Sequence, residues 1–187
     1  MKLPEFLLLA VCLYSSGCFA SDEVASDECD YKREAFKFLE VNQKDVFASK
    51  WQHTADSETG EGVDRLVISY VNGDVLVVEH KYCVIYNFQA TYYSASLLPQ
   101  SVKLVDRVKL MEGYNFLALD LKTAPADQLS SKVSKADFSS DKPYRLNFDA
   151  VDKKGQNSVN YSISYDPLGG LGLMGSVVSV YVAVGGE

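Results

Sequence analysis

Histidine is nearly absent from this chain: His53 and His80 are the only two in 187 residues. A serine or cysteine nucleophile needs a base, and neither histidine sits in a nucleophile elbow or beside an oxyanion-hole motif, so no catalytic triad is recognisable. Cysteine is also scarce. Two of the four, Cys12 and Cys18, lie within the first twenty residues. His80-x-x-Cys83 is half a zinc site, and only Cys29 and the distant His53 remain to complete it, so no metal is expected. No apolar run reaches the roughly 20 residues of a membrane span, which excludes an integral span. Positive charge is in deficit, with 18 Lys and Arg against 25 Asp and Glu and a net charge of −7. Such a chain repels nucleic acid. The carboxylate pairs Asp22-Glu23 and Asp27-Glu28 lie in a polar stretch where nothing shifts a pKa, so glycosidase chemistry has no support.

What is present begins with Met1 to Ala20. A lone Lys2, the apolar run Leu7 to Tyr14 and the small-residue site Cys18-Phe19-Ala20 before Ser21 have the layout of a secretory signal peptide over residues 1–20. Ser16-Gly17-Cys18 also resembles the end of a bacterial lipoprotein signal, which implies a lipid anchor at Cys18 in the outer membrane. Ser15 stands where that pattern has a branched apolar residue. Cleavage near Ala20 is the preferred reading and makes the protein periplasmic or secreted. It removes one charge of each sign, Lys2 and Glu5, so the net charge is unchanged. Cys29 and Cys83 are then alone in an oxidising compartment and are expected to pair. The bridge closes a loop of about 55 residues and contributes about 3 to 4 kcal/mol on the chain-entropy model.

Residues 21–30 form an acidic, flexible lead-in, and residues 31–187 are the size of one domain. A short helix is expected from about Asp30 to Val41, with Ala35, Phe36 and Leu39 on its buried stripe. Val46 to Tyr93 reads as strands, interrupted by a polar loop at Ser57 to Gly62. Asn72-Gly73 predicts a hairpin with a type I′ turn between Arg65–Val71 and Asp74–Tyr82, and Val84 to Tyr93 continues the meander. Leu104, Val105, Val108 and Met111 recur at helical spacing from Pro99 to Met111, and Gly113 is placed to give a left-handed cap, so helix is preferred; Val102, Leu104, Val108 and Leu110 also fit a broken strand alternation, and the period does not settle the matter. Another short helix with loops is expected within Thr123 to Lys142. Tyr144 to Ala150, Val159 to Tyr165 and Ser176 to Val184 alternate as strands; the last is apolar on both faces and so is expected to be central in a sheet or covered. The fold class that follows is α+β: a mainly antiparallel sheet of about six to seven strands, with two or three short helices packed on one face.

Gly170-Leu171-Gly172-Leu173-Met174-Gly175 matches GxGxxG, but a valine-rich strand follows it where a dinucleotide site needs a helix. No cofactor is expected. The segment is instead a bendable apolar loop, and Leu171, Leu173 and Met174 are candidate partner contacts if they protrude; folded back, they would lid the core. Tyr86, Tyr92 and Tyr93 crowd one strand and are further recognition candidates, since tyrosine joins a rigid apolar body to a polar tip. His80 shares a face with Leu76 and Val78 by parity, which predicts a structural histidine more than a catalytic base.

Size, export signal, acidic charge and a single cysteine pair resemble the general type of bacterial periplasmic inhibitors and immunity proteins. That resemblance implies a binding protein with no catalytic role, whose partner is another protein such as a basic hydrolase or toxin. A carrier or chaperone for a small apolar ligand is the alternative, and a hydrolase without a recognisable motif the third reading.

Overall fold

The period-two patterns fold as strands and the helical spacing folds as helix in the computed structural model, which describes residues 45–55, 61–82, 86–98, 101–114, 125–133, 138–151, 158–169 and 173–184. The signal peptide, the lead-in, the helix expected near Asp30, Cys29, Cys83 and Leu171 lie outside the described residues. Strands β1 (Val46–Ala55), β2 (Gly62–Tyr70), β3 (Val75–Tyr82) and β4 (Tyr86–Ser94) come first. Helices α1 (Ser101–Glu112) and α2 (Pro125–Val133) follow, then β5 (Tyr144–Val151), β6 (Ser158–Pro167) and β7 (Ser176–Val184). The seven strands form one sheet in the order β1-β2-β3-β4-β7-β6-β5, with every neighbour antiparallel.

Two meanders are thus joined through their last strands, β4 and β7. That places β7 inside the sheet with a strand on each side, although its second face, with Tyr181, lies on the open side. One face of the sheet is covered. Leu66 and Ile68 of β2, Leu76 and Val78 of β3, Phe88 and Tyr92 of β4, Tyr161 and Ile163 of β6, and Val180 of β7 all join one buried cluster. Leu104, Val105, Val108 and Met111 bring α1 into the same cluster, and α1 touches β4, β7 and α2. The alternate residues form an open face that carries Arg65, Glu79, Gln89 and Tyr181.

Two local expectations are corrected. Gly73 N–H donates to the Tyr70 carbonyl and Tyr70 N–H to the Asp74 carbonyl, so three residues, 71–73, make the loop. With Gly73 at φ 87° this is a three-residue hairpin with a left-handed glycine in place of a two-residue type I′ turn. The reason is local: Asn72 Oδ1 accepts the Asp74 N–H at 3.1 Å, which sets the chain before β3 begins. Gly113 is not among the left-handed glycines of the described residues. Its N–H reaches the Lys109 carbonyl and Tyr114 N–H reaches that of Met111, so α1 ends in a tightened turn.

No helix among the described residues is long and apolar enough to cross a membrane.

Candidate functional site

The register brings both histidines to one aspartate. His53 of β1 is paired with Asp64 of β2, which is paired with His80 of β3, all in one cross-strand row. His53 Nδ1 lies 2.7 Å from Asp64 Oδ1, and the Asp64 side chain is buried while the imidazole is partly open. The imidazole stands between two aromatic rings. Trp51 is nearly parallel to it at 6.2 Å, and Tyr82 is parallel at 6.5 Å. The Tyr82 hydroxyl lies 3.4 Å from His53 Nδ1. Gly62 makes this possible, since a Cβ there would meet the Tyr82 ring at 2.1 Å.

A buried carboxylate on Nδ1 orients an imidazole and fixes its tautomer, which is the base-holding half of a triad. Nucleophile activation needs a hydroxyl or thiol at about 3 Å from the other ring nitrogen as well. His80 has a different environment. It is buried edge-on against Phe88, 5.0 Å between centroids. Burial pushes its pKa down to about 4, with a smaller opposing effect from a backbone hydrogen bond at Tyr114. It is neutral at pH 7, in keeping with a structural role. No group of three or more His, Cys, Asp or Glu side chains among the described residues is placed to hold a metal ion.

At the other end of β3 the buried Asp74 gathers five donors. Tyr92 Oη is at 2.6 Å, Ala95 N at 2.9 Å, Asn72 Nδ2 at 3.0 Å, and Ser94 Oγ and Arg107 Nη2 both at 3.4 Å. The Arg107 guanidinium also lies over the Tyr92 ring, 4.2 Å from its centroid. This ties the hairpin, the end of β4 and α1 together. Burial and the bond to Asp74 push the Tyr92 hydroxyl far above the usual tyrosine range, and burial takes Tyr70 up to about 12.

The expected contact residues fall in different places. Tyr92 is 1% exposed and belongs to the core, so its ring offers no surface to a partner. Tyr93 is half-buried on the open face, and the side chain of Tyr86 lies outside the described residues. Leu173 is 93% exposed and Met174 is half-buried. The turn that carries Leu173 has a firm base: Leu168 N–H donates to the Gly175 carbonyl and Gly175 N–H to the Ser94 carbonyl. Ser176 Oγ donates to the Ser96 carbonyl at 2.8 Å. Gly175 packs so closely that a Cβ would stand 2.6 Å from the Ser96 backbone. Here glycine serves close approach of two chains.

Trp51, Asp64, Asp74 and Tyr82 were not singled out from sequence. The available signal was parity: Asp64 is in phase with Leu66, Ile68 and Tyr70, an acid on a core-facing row. The open face holds a trough of about 730 Å³ across β1, β2, β3, β4 and β7, whose lining includes Arg65, Glu79, Gln89 and Tyr181. No family model matches this chain, and neither a curated protein nor a solved structure matches it.

Proposed function

We propose that this protein is an exported, non-catalytic binding protein of the inhibitor or immunity type, which blocks a cell-wall hydrolase or a toxin by seating Leu173 in its partner. The observation that supports this reading is a leucine 93% exposed on a turn whose base is hydrogen-bonded to the end of β4. An apolar side chain held out on a fixed base loses little conformational freedom on docking, and its burial in a partner contributes about 2 kcal/mol. The net charge of −7 speeds association with a basic partner, an effect that weakens with salt. Carriage of an apolar molecule has less support, because the trough is lined chiefly by polar and charged side chains.

Affinity capture from the host's own envelope fraction tests the proposal. The mature protein is expected to retain a basic protein, and Leu173→Asp to lose it while its free energy of unfolding stays within about 0.5 kcal/mol of the parent. Equal capture by the variant, or its global unfolding, overturns the reading. The His53–Asp64 pair favours hydrolysis as a second reading. Turnover of any ester, peptide or glycan substrate by purified protein, abolished in His53→Ala, would replace the binding role.

A further inference from the structure

The open-face trough differs in character from the rest of the molecule. It crosses five strands, a width of about 19 Å at the usual interstrand spacing. Its floor has two cross-strand rows. Gln52, Arg65, Glu79, Gln89 and Tyr181 make one, and Thr54, Val63, Lys81 and Asn87 run beside it. The chain as a whole is strongly acidic, yet this lining has two basic residues and one acid.

Most of that charge is spent internally. Arg65 donates through Nε to Glu79 Oε1 at 2.7 Å and through Nη2 to the same oxygen, so the pair neutralises itself. The Tyr181 hydroxyl donates to Asn87 Oδ1 at 3.1 Å, which steadies the ring and leaves Nδ2 as the donor end of that amide. Tyr181 remains 42% exposed, so its ring is a platform on the trough floor. Three amides, a threonine hydroxyl and a self-neutralised ion pair present donors and acceptors in nearly equal number beside one flat aromatic face.

We propose that this trough binds a neutral oligosaccharide, whose hydroxyls both donate and accept hydrogen bonds and whose C–H face stacks on Tyr181. An anionic ligand would need an excess of cations, and Lys81 alone is unpaired with an acid within the trough's lining. An apolar ligand would need apolar walls, which Val63, the Tyr181 ring and the His53 imidazole at the trough's edge do not provide. A volume of about 730 Å³ is within the range of small-molecule sites. This site is separate from Leu173: Tyr181 is five residues along β7 from Ser176, about 17 Å.

Isothermal titration of the mature protein tests it. The probes are tetrasaccharides of β-1,4-linked glucose, β-1,4-linked N-acetylglucosamine and α-1,4-linked glucose, with a tetramer of galacturonate and tetra-alanine as anionic and peptide comparisons. At least one neutral tetrasaccharide is expected to bind with a Kd of about 1 mM or tighter. Tyr181→Ala should weaken it about tenfold or more, and Tyr181→Phe, which keeps the ring, should stay within about threefold. Gln89→Ala should weaken it too, and Leu173→Asp should leave it unchanged. Absence of binding by all three neutral sugars, tighter binding of galacturonate or tetra-alanine, or indifference to Tyr181→Ala and Gln89→Ala would overturn the assignment. Loss of partner capture by Leu173→Asp with intact sugar binding separates this site from the protein-binding reading.

Discussion

Asp64 and Asp74 are both buried on the covered face of the sheet, near opposite ends of the same hairpin, and they serve opposite ends. Around Asp74 every side-chain and backbone partner is a donor, drawn from the hairpin loop, from β4 and its exit, and from α1. A carboxylate is the only side chain of that size that can accept from all of them at once. Asp64 faces an imidazole that touches solvent and stands between Trp51 and Tyr82. A buried acid surrounded by fixed donors is architecture; one that orients a partly exposed imidazole on an edge strand is a candidate site.

Isosteric replacement should separate the two most strongly. Asp74→Asn puts an amide NH2 among donors and removes the charge that faces Arg107, and it should cost about 4 kcal/mol in chemical denaturation. Asp64→Asn keeps an oxygen for His53 Nδ1 and should cost about 1 kcal/mol. Equal losses would erase the distinction drawn between the two acids.

A second contrast sets His80 against Glu112. Glu112 is buried at the end of α1, where a carboxylate is disfavoured, and accepts the Ala126 N–H at the start of α2 at 3.3 Å. Burial raises its pKa to about 7, with Asp127 adding to the rise and the Ala126 bond and Lys109 opposing it. Between pH 4.5 and 7 the folded state therefore holds a proton that the unfolded state has released, and stability falls as pH rises. His80 acts in the other direction: between about pH 4 and 6.5 the unfolded state binds the extra proton, and stability rises with pH. Each contributes about 3 kcal/mol over its window, and in the overlap the two slopes cancel. Glu112→Gln should expose a rising slope between pH 4.5 and 6.5, and His80→Gln a falling one, read from denaturation midpoints. A parallel pH profile in both variants would contradict the burial of these groups.

The smallest effect sharpens the edge site alone. A Cβ at Gly62 displaces the far end of the Tyr82 side chain, which can swing away, so Gly62→Ala should cost only about 1 kcal/mol. The His53 ring resonances should nevertheless shift as Tyr82 leaves its parallel position. Unchanged resonances would mean that Tyr82 does not hold that place in solution.

Much of this architecture was legible from the chain. Ser176 to Val184 was readable to the residue because a strand apolar on both faces has few places to go. The Asn72-Gly73 hairpin was visible, but its loop length was not, since the Asn72 side chain adds a bond that backbone preference does not encode. Tyr92 and Tyr93 are adjacent and looked alike; strand parity sends the first into the core and the second to the open face. Asp64 and Asp74 passed unnoticed because one acid in an alternating run is common and, Asn72 apart, the partners described here lie 11 to 33 residues away.

Composition and period alone determined a mainly antiparallel sheet of six to seven strands, the inward phase of its alternating strands, the acidity and the scarcity of histidine, because these depend on local preference and on which side chains avoid water. Only the tertiary structure decided that His53 and His80 flank the same aspartate, that Asp74 collects its five donors, and that a near-neutral trough crosses an acidic protein. Those features depend on register between strands distant in sequence, and pairing one residue out of step would send each of these side chains to the opposite face.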